Sequence, residues 1–317
     1  MGLDGSRRVL SMQDKHLHIE VTSRCTLECP ACPRTSWKEI TKIPMPKQDL
    51  DIADFKSFMD CEGGKKIEIL RLCGDYGDCI YYPQLIEFLK EFRDKKFILH
   101  TNGSYKSQQF WEEISEILTP DDQIIFGIDG LEHNNHLYRR NSDWNSTMLA
   151  VDTIAKKSLA VLKWQTIIFS FNENMLDEIK SYAENKGAIW FSQPSHRFGD
   201  DTLVPQNQSN IETEYLYEQE YSTDKIIEID PKCYSEKTIT SDGYLFPCDW
   251  IRNPKTLYSS KLWKDRSHWL NRLKISETTF DQAKLVVQEW SDSVQAESLN
   301  GSAEVLCKMK CRKGICR

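Results

Sequence analysis

The 317-residue sequence predicts an α/β protein, with a partial (β/α)6 TIM-like barrel followed by a small cysteine-rich α+β domain. Short apolar runs rich in β-branched and aromatic residues alternate with longer amphipathic stretches, and six such units precede residue 193. Each connection between parallel strands must carry a helix back over the sheet, so this alternation indicates a parallel sheet that curves into a partial barrel. Five cysteines after residue 230 predict the second domain.

The predicted elements follow one another in a regular order. Strands are predicted at 17–21, 67–72, 97–101, 123–128, 162–169 and 188–192, with helices at 51–60, 83–94, 107–118, 146–157 and 172–186. Pro83 suits the first turn of its helix, where a backbone amide hydrogen would have no partner. We expect a flexible leader at 1–15, the barrel at 16–192, an acidic linker with a sixth-helix region at 193–230, and the cysteine-rich domain at 231–317.

Three cysteines, Cys25, Cys29 and Cys32, stand directly after the first predicted strand. Thiolates favour soft metals, and three of them in one tight loop can hold three corners of an iron–sulfur cluster while the fourth iron stays open. A structural zinc site is the alternative, although zinc ligands usually come in pairs. A disulfide framework fits less well, because the chain has 11 cysteines, an odd number, and no secretory signal.

Composition disfavours two classes of function. The net charge of −7 argues against a nucleic-acid-binding protein, which would normally carry a basic surface. The sequence also lacks an apolar signal segment and any run of about 18 apolar residues. We therefore expect a soluble cytoplasmic protein with no membrane partner.

The C-x3-C-x2-C spacing of Cys25, Cys29 and Cys32 resembles the signature of the radical S-adenosylmethionine (SAM) superfamily. The resemblance implies a partial TIM-like barrel and a 4Fe–4S cluster whose open iron is chelated by SAM. It also implies an activity in which one electron cleaves SAM and the 5′-deoxyadenosyl radical abstracts hydrogen from a substrate. An external one-electron reductant such as flavodoxin or ferredoxin is then the expected partner.

Smaller resemblances to the same superfamily suggest residues that contact SAM. The turn after the second strand resembles a Gly-Gly-Glu-Pro region, with Gly77 and Asp78 in place of Gly-Glu. Asn102 belongs to a similar Thr-Asn-Gly element, and Asp129 and Arg139 lie in elements that resemble Ser-Ile-Asp-Gly and Tyr-Arg segments. Arg139 could pair with the SAM carboxylate, because the guanidinium fork matches a carboxylate.

A second cysteine pattern lies near the carboxyl end of the chain. Nine residues, Gly243 and four further residues separate Cys233 from Cys248, around a predicted hairpin over 238–246. This spacing resembles the opening of SPASM/Twitch auxiliary-cluster domains. It implies one auxiliary 4Fe–4S cluster, with structural zinc as the alternative. The cysteine left over, Cys311 or Cys316, is a candidate hydrogen-atom donor. The cluster would be held by four of five residues: Cys233, Cys248, Cys307, Cys311 and Cys316.

The leading hypothesis is a radical SAM enzyme whose auxiliary cluster assists dehydrogenation or epimerisation of a sugar-like or other small molecule. Related enzymes modify ribosomally made peptides, so a peptide maturase is the alternative. The short segment of about 16 residues before the first strand favours the small molecule. A hypothesis of another class is a non-catalytic zinc-binding interaction protein. Cys61, Cys73 and Cys79 have no cluster spacing and are predicted to be packed thiols.

Overall fold

The computed structural model describes residues 15–195, 197–211, 237–248 and 266–299. The strands in these ranges form one sheet, in which only the last two strands are antiparallel. They are β1 (His16–Ile19), β2 (Ile69–Leu72), β3 (Lys96–Thr101), β4 (Gln123–Gly127), β5 (Val161–Ile167), β6 (Ile189–Gln193), β7 (Thr238–Ile239) and β8 (Leu245–Phe246). The strand order is β6-β5-β4-β3-β2-β1-β7-β8, and the predicted α/β partial barrel is confirmed.

Helices connect the strands of this sheet. Within the described ranges they are α1 (Pro33–Thr41), α2 (Ile52–Met59), α3 (Glu62–Lys65), α4 (Leu85–Glu91), α5 (Gln108–Ile117), α6 (Trp144–Lys157), α7 (Leu176–Asn185), α8 (Arg266–Trp269) and α9 (Phe280–Leu299). The side chains of Asp51, Ser107 and Asp143 cap α2, α5 and α6 by accepting a hydrogen bond from a first-turn amide. The five predicted helices correspond to α2 and α4 to α7. None of the helices in these ranges combines the length and apolar character needed to cross a membrane.

Successive strand residues alternate between two faces of the sheet. One face is apolar and lies against the helices, as where Trp111 of α5 contacts Phe126 of β4 with 5.6 Å between ring centroids. The opposite face carries polar residues, and we call it the cavity face. Since His18 is in register with Arg71, and Ile125 is in register with both His100 and Lys163, these residues form rows across that face.

The described carboxyl-terminal segments pack directly on the barrel. β7 and β8 form the predicted hairpin, and β7 pairs with β1 at the edge of the sheet. Phe280 of α9 contacts Phe58 of α2, with 5.8 Å between ring centroids, and the Asp281 carboxylate accepts a hydrogen bond from the Gly63 amide at 3.0 Å. Residues 197–211 contain two short 3-10 turns. Residue 196 and residues 212–230 of the predicted linker lie outside the described residues, as does the predicted leader to residue 14.

Candidate active site

The three predicted cluster cysteines border one cavity of about 290 Å³ at the carboxyl ends of the barrel strands. Cys25, Cys29 and Cys32 all come from the loop between β1 and α1. An ion pair anchors this loop, because the Arg24 guanidinium donates to the Asp49 carboxylate through Nε at 3.0 Å and Nη2 at 2.7 Å. Local folding therefore brings the three thiols to a common wall.

The pKa values of the three thiols indicate which kind of ligand the loop is suited to hold. Burial raises the pKa of Cys25 and of Cys29 to about 12, and it also raises the pKa of Cys32. The amides of Arg34 and Thr35 oppose this shift in the pKa of Cys32, because that residue caps α1 and a helix N-terminus favours negative charge. A bound metal centre would supply the positive charge that buried thiolates need.

The three thiols offer soft donors to a metal centre. Across the described ranges, no three His, Cys, Asp or Glu side chains converge on a position for one metal ion. A cubane cluster, in contrast, presents a separate iron to each thiolate. The donor set is three soft thiolates on one wall of a cavity, and this set is the one that iron–sulfur chemistry uses.

The turn after β2 forms the facing wall and depends on glycine. A Cβ atom on Gly77 would lie 1.8 Å from the Thr22 carbonyl oxygen, and one on Gly74 would lie 2.2 Å from the carbonyl oxygen of Gly77. The buried Glu20 carboxylate accepts hydrogen bonds from the amides of Tyr76 and Gly77. The turn is therefore pressed against the chain that follows β1, with Gly77 at the cavity.

Asp78 and Asn102 form a hydrogen-bonded link between β2 and β3. One carboxylate oxygen of the buried Asp78 accepts from the Asn102 amide at 2.6 Å and from the Asn102 side chain at 2.6 Å. The same Asn102 side-chain nitrogen lies 3.6 Å from the Cys25 sulfur. Burial raises the pKa of Asp78, and the hydrogen bonds oppose that shift. The chain itself thus engages the Asp78 carboxylate, which orients Asn102 beside the first cluster cysteine.

Arg139 lies between a buried carboxylate and a cluster cysteine. Its Nε donates to Asp129 at 2.6 Å, and Asp129 also accepts from the Ile167 amide at 2.8 Å. Burial alone would lower the pKa of Arg139, but Asp129 and Cys29 raise it, so the guanidinium stays protonated. Gly127 leaves room for this group, since a Cβ atom there would be 2.8 Å from Nη2 of Arg139.

The cavity also contains residues to which the sequence analysis assigned no role at the site. Cys73, His100, Tyr138 and Gln165 border it. The packed-thiol prediction is therefore wrong for Cys73, whereas Cys79 is buried and Cys61 packs against the core. Cys73 directly follows β2, and that position at a strand's carboxyl end was the available signal.

The described ranges include one of the five predicted auxiliary cysteines. Cys248 follows β8, is half-buried and packs against the main hydrophobic core. Its four predicted co-ligands, and with them both candidate hydrogen-atom donors, lie outside the described residues: Cys233, Cys307, Cys311 and Cys316.

Sequence comparison gives one partial relative. No protein-family model matches the chain. The tungsten-containing aldehyde ferredoxin oxidoreductase cofactor-modifying protein of Pyrococcus furiosus is 26% identical over 121 residues. This match covers 37% of the chain and spans 31% of the length of that curated relative.

Solved structures match over most of the chain. SuiB of Streptococcus suis, bound to S-adenosylmethionine, has a TM-score of 0.55 and 11% identity, and the match covers 93% of this chain and 77% of SuiB. For anSMEcpe with bound AdoMet and the Cp18Cys peptide, the TM-score is 0.52 and the identity 13%, with coverage of 90% and 98%. The chain shares the fold of these solved structures. At these identities the likeness concerns the fold alone, and that fold agrees with the partial barrel predicted from the repeated βα units.

Proposed function

We propose that this protein is a radical SAM enzyme in which Cys25, Cys29 and Cys32 hold a 4Fe–4S cluster. The observation that carries the proposal is the shared cavity. Three thiols from one loop border it together with the glycine turn after β2, Asn102 after β3 and Arg139 after β4. When bound, the cluster and SAM supply a 5′-deoxyadenosyl radical that abstracts a hydrogen atom from a substrate C–H bond.

The other residues of the cavity bind and orient in this proposal. Arg139 is the candidate partner of the SAM carboxylate, because Asp129 keeps it protonated and fixes its Nε. Gly77 borders the cavity, so its backbone is a candidate SAM contact, and the absence of a side chain lets the turn pack against the Thr22 carbonyl. Asp78 and Asp129 are assigned positioning roles, because protein donors already engage their carboxylates.

We also propose one auxiliary 4Fe–4S cluster, held by four of the five carboxyl-terminal cysteines. The support is topological: Cys248 follows the hairpin whose strand β7 pairs with β1, and β1 leads into the cluster loop. An auxiliary cluster can accept an electron from a substrate radical, which suits dehydrogenation of a small molecule. Epimerisation is redox-neutral and would instead need a hydrogen-atom donor, for which Cys311 or Cys316 is the candidate. A one-electron donor of the flavodoxin or ferredoxin type would supply the catalytic cluster.

A peptide substrate is the second candidate. The observation that favours it is the pair of fold neighbours that were solved with peptides. SuiB bound to its precursor peptide SuiA has a TM-score of 0.55 with 12% identity, and anSMEcpe was solved with the Cp18Cys peptide. Comparing 5′-deoxyadenosine formation with peptide and with small-molecule candidates would separate the two classes.

Anaerobic reconstitution tests the central proposal. The wild-type chain should bind roughly eight irons, show broad iron–sulfur absorbance, and form 5′-deoxyadenosine from SAM with dithionite. Cys25→Ala, Cys29→Ala and Cys32→Ala should each abolish that product, because two thiolates cannot hold the cluster. Cys61→Ala is the matched control, since this thiol packs against the core away from the cavity. Wild-type rates in any of the three variants, or a colourless protein with stoichiometric zinc, would contradict the proposal.

A further inference from the structure

The cavity face of the sheet carries basic residues beneath the proposed SAM site. Lys163 of β5 and His100 of β3 are both in register with Ile125 of β4, so they lie in one row across three strands. Arg71 of β2 lies on the same face, two residues before Cys73 of the cavity wall. Within the described ranges, neither Arg71 nor Lys163 forms an ion pair.

His100 provides an independent observation at the same place. Its ring borders the cavity, and its Nε2 atom is buried without a hydrogen-bond partner among the described residues. Burial, together with the charges of Arg71, His18 and Lys163, lowers the pKa of His100 to about 3, so the ring is neutral. A buried polar atom without a hydrogen-bond partner is unfavourable, and a ligand that accepts its hydrogen would supply that partner.

The carboxylates near this face are occupied elsewhere. Glu20 accepts from the backbone amides of the turn after β2, Asp78 accepts from Asn102, and Asp129 pairs with Arg139. A fourth carboxylate, Asp75, belongs to the same turn at the cavity wall and acts on the pKa of Cys32. The two cations in the lower part of the face are therefore not neutralised by the described acidic groups.

We propose that the substrate carries a carboxylate or phosphate group that binds among Arg71, His100 and Lys163. Arg71 offers a planar fork of donors, Lys163 a compact charge, and neutral His100 a hydrogen on Nε2. An anion held there would leave the rest of the substrate to extend toward the carboxyl ends of the strands, where SAM is proposed to bind. That the bound anion is part of the substrate rests on the proposed function. Anion binding itself does not depend on radical chemistry.

The test measures anion binding by calorimetry on the reconstituted protein saturated with SAM, so that the SAM carboxylate site is filled. The probes are inorganic phosphate and succinate, each titrated at constant ionic strength against chloride. We expect one probe to bind at one site per chain, and at least tenfold more weakly in both Lys163→Met and Arg71→Met. Arg71 is exposed, so its variant guards against a folding defect. Lys157→Met is the matched control, because Lys157 lies on α6 and pairs weakly with Glu112.

Each outcome bears on the inference. Preference for phosphate or for succinate identifies the anionic group and supports the site. Absence of binding by both probes overturns it, as does equal binding by wild type and both variants, which would indicate an adventitious ion only. Wild-type 5′-deoxyadenosine formation is recorded in parallel. If the wild-type protein binds the anion specifically but forms no 5′-deoxyadenosine, the proposed function is contradicted and the anion site stands. If it forms 5′-deoxyadenosine but binds neither anion, the anion-site inference alone is overturned.

Discussion

At the residue scale, a buried ion pair between Asp129 and Arg139 holds the arginine in place at the cavity. The Asp129 side chain is fully buried and holds Arg139, whose side chain is 20% exposed. Asp129→Ala should lower the free energy of unfolding by about 3–5 kcal/mol, because it leaves the guanidinium buried without a counter-charge. Urea denaturation of wild type and variant measures the difference.

A surface ion pair provides the control for this prediction. Asp152 pairs with Lys186 at 2.9 Å, but these side chains are 38% and 27% exposed. Asp152→Ala should therefore cost no more than about 1 kcal/mol. If the two substitutions cost the same, Arg139 does not depend on Asp129 for its place in the cavity.

Several cavity residues could be predicted from the sequence, while their roles toward SAM stay predictions. Gly77, Asn102 and Arg139 were predicted from short motifs, and all border the cavity. Asp78 was predicted to contact SAM, yet its carboxylate is engaged by Asn102. His100 was missed, because its place on the cavity face depends on the register between β3 and β4, which composition does not encode.

At the scale of elements, the glycine turn after β2 is sterically restricted. An added methyl group at Gly77 would clash with the backbone of Thr22 rather than with a flexible side chain. Gly77→Ala should therefore displace the turn and weaken SAM binding at least tenfold. The measurement is equilibrium dialysis of SAM against the reconstituted protein.

Gly187→Ala is the control that distinguishes this steric clash from the general cost of replacing a glycine. The φ of Gly187 is +81°, but an added Cβ would meet only Ala155, at 4.0 Å. Gly187→Ala should cost about 1–2 kcal/mol of stability for the left-handed backbone and leave SAM affinity unchanged. Equal SAM affinity in the Gly77 and Gly187 variants would show that the turn does not shape the SAM site.

Strands and helices could be predicted where the hydrophobic periodicity is strong. They were missed where other features, such as a capping residue, determine the element. All six barrel strands and the five intervening helices were found, with ends shifted by a few residues. Helix α1 was missed because its sequence is mostly polar and only Pro33 is buried; its start is set by that proline and by Cys32 as cap. Helix α9 was not predicted, although its buried residues recur at helical spacing: Phe280, Ala283, Val287, Trp290 and Val294.

At the scale of the whole molecule, the carboxyl-terminal hairpin and the catalytic loop share one sheet edge. β1 pairs with β2 on one side and with β7 on the other, so the strand that enters the cluster loop also carries the segment leading to Cys248. A substrate bound on the cavity face would lie in the same barrel. This topology allows the proposed clusters to serve one substrate while their ligands come from separate parts of the chain.

Separate ligand sets make the two proposed clusters separable by mutation. The double variant Cys233→Ala/Cys248→Ala should lose about four of eight irons, because its substitutions remove two auxiliary ligands and leave the barrel thiols intact. Formation of 5′-deoxyadenosine with dithionite should persist, since SAM cleavage needs only the barrel cluster and a reductant, while substrate turnover should fail. Iron analysis and product assay measure both, and Cys61→Ala should keep all the iron. About eight irons in the double variant would show that these cysteines bind no cluster, and loss of 5′-deoxyadenosine in a folded variant would mean that the barrel cluster depends on the auxiliary one.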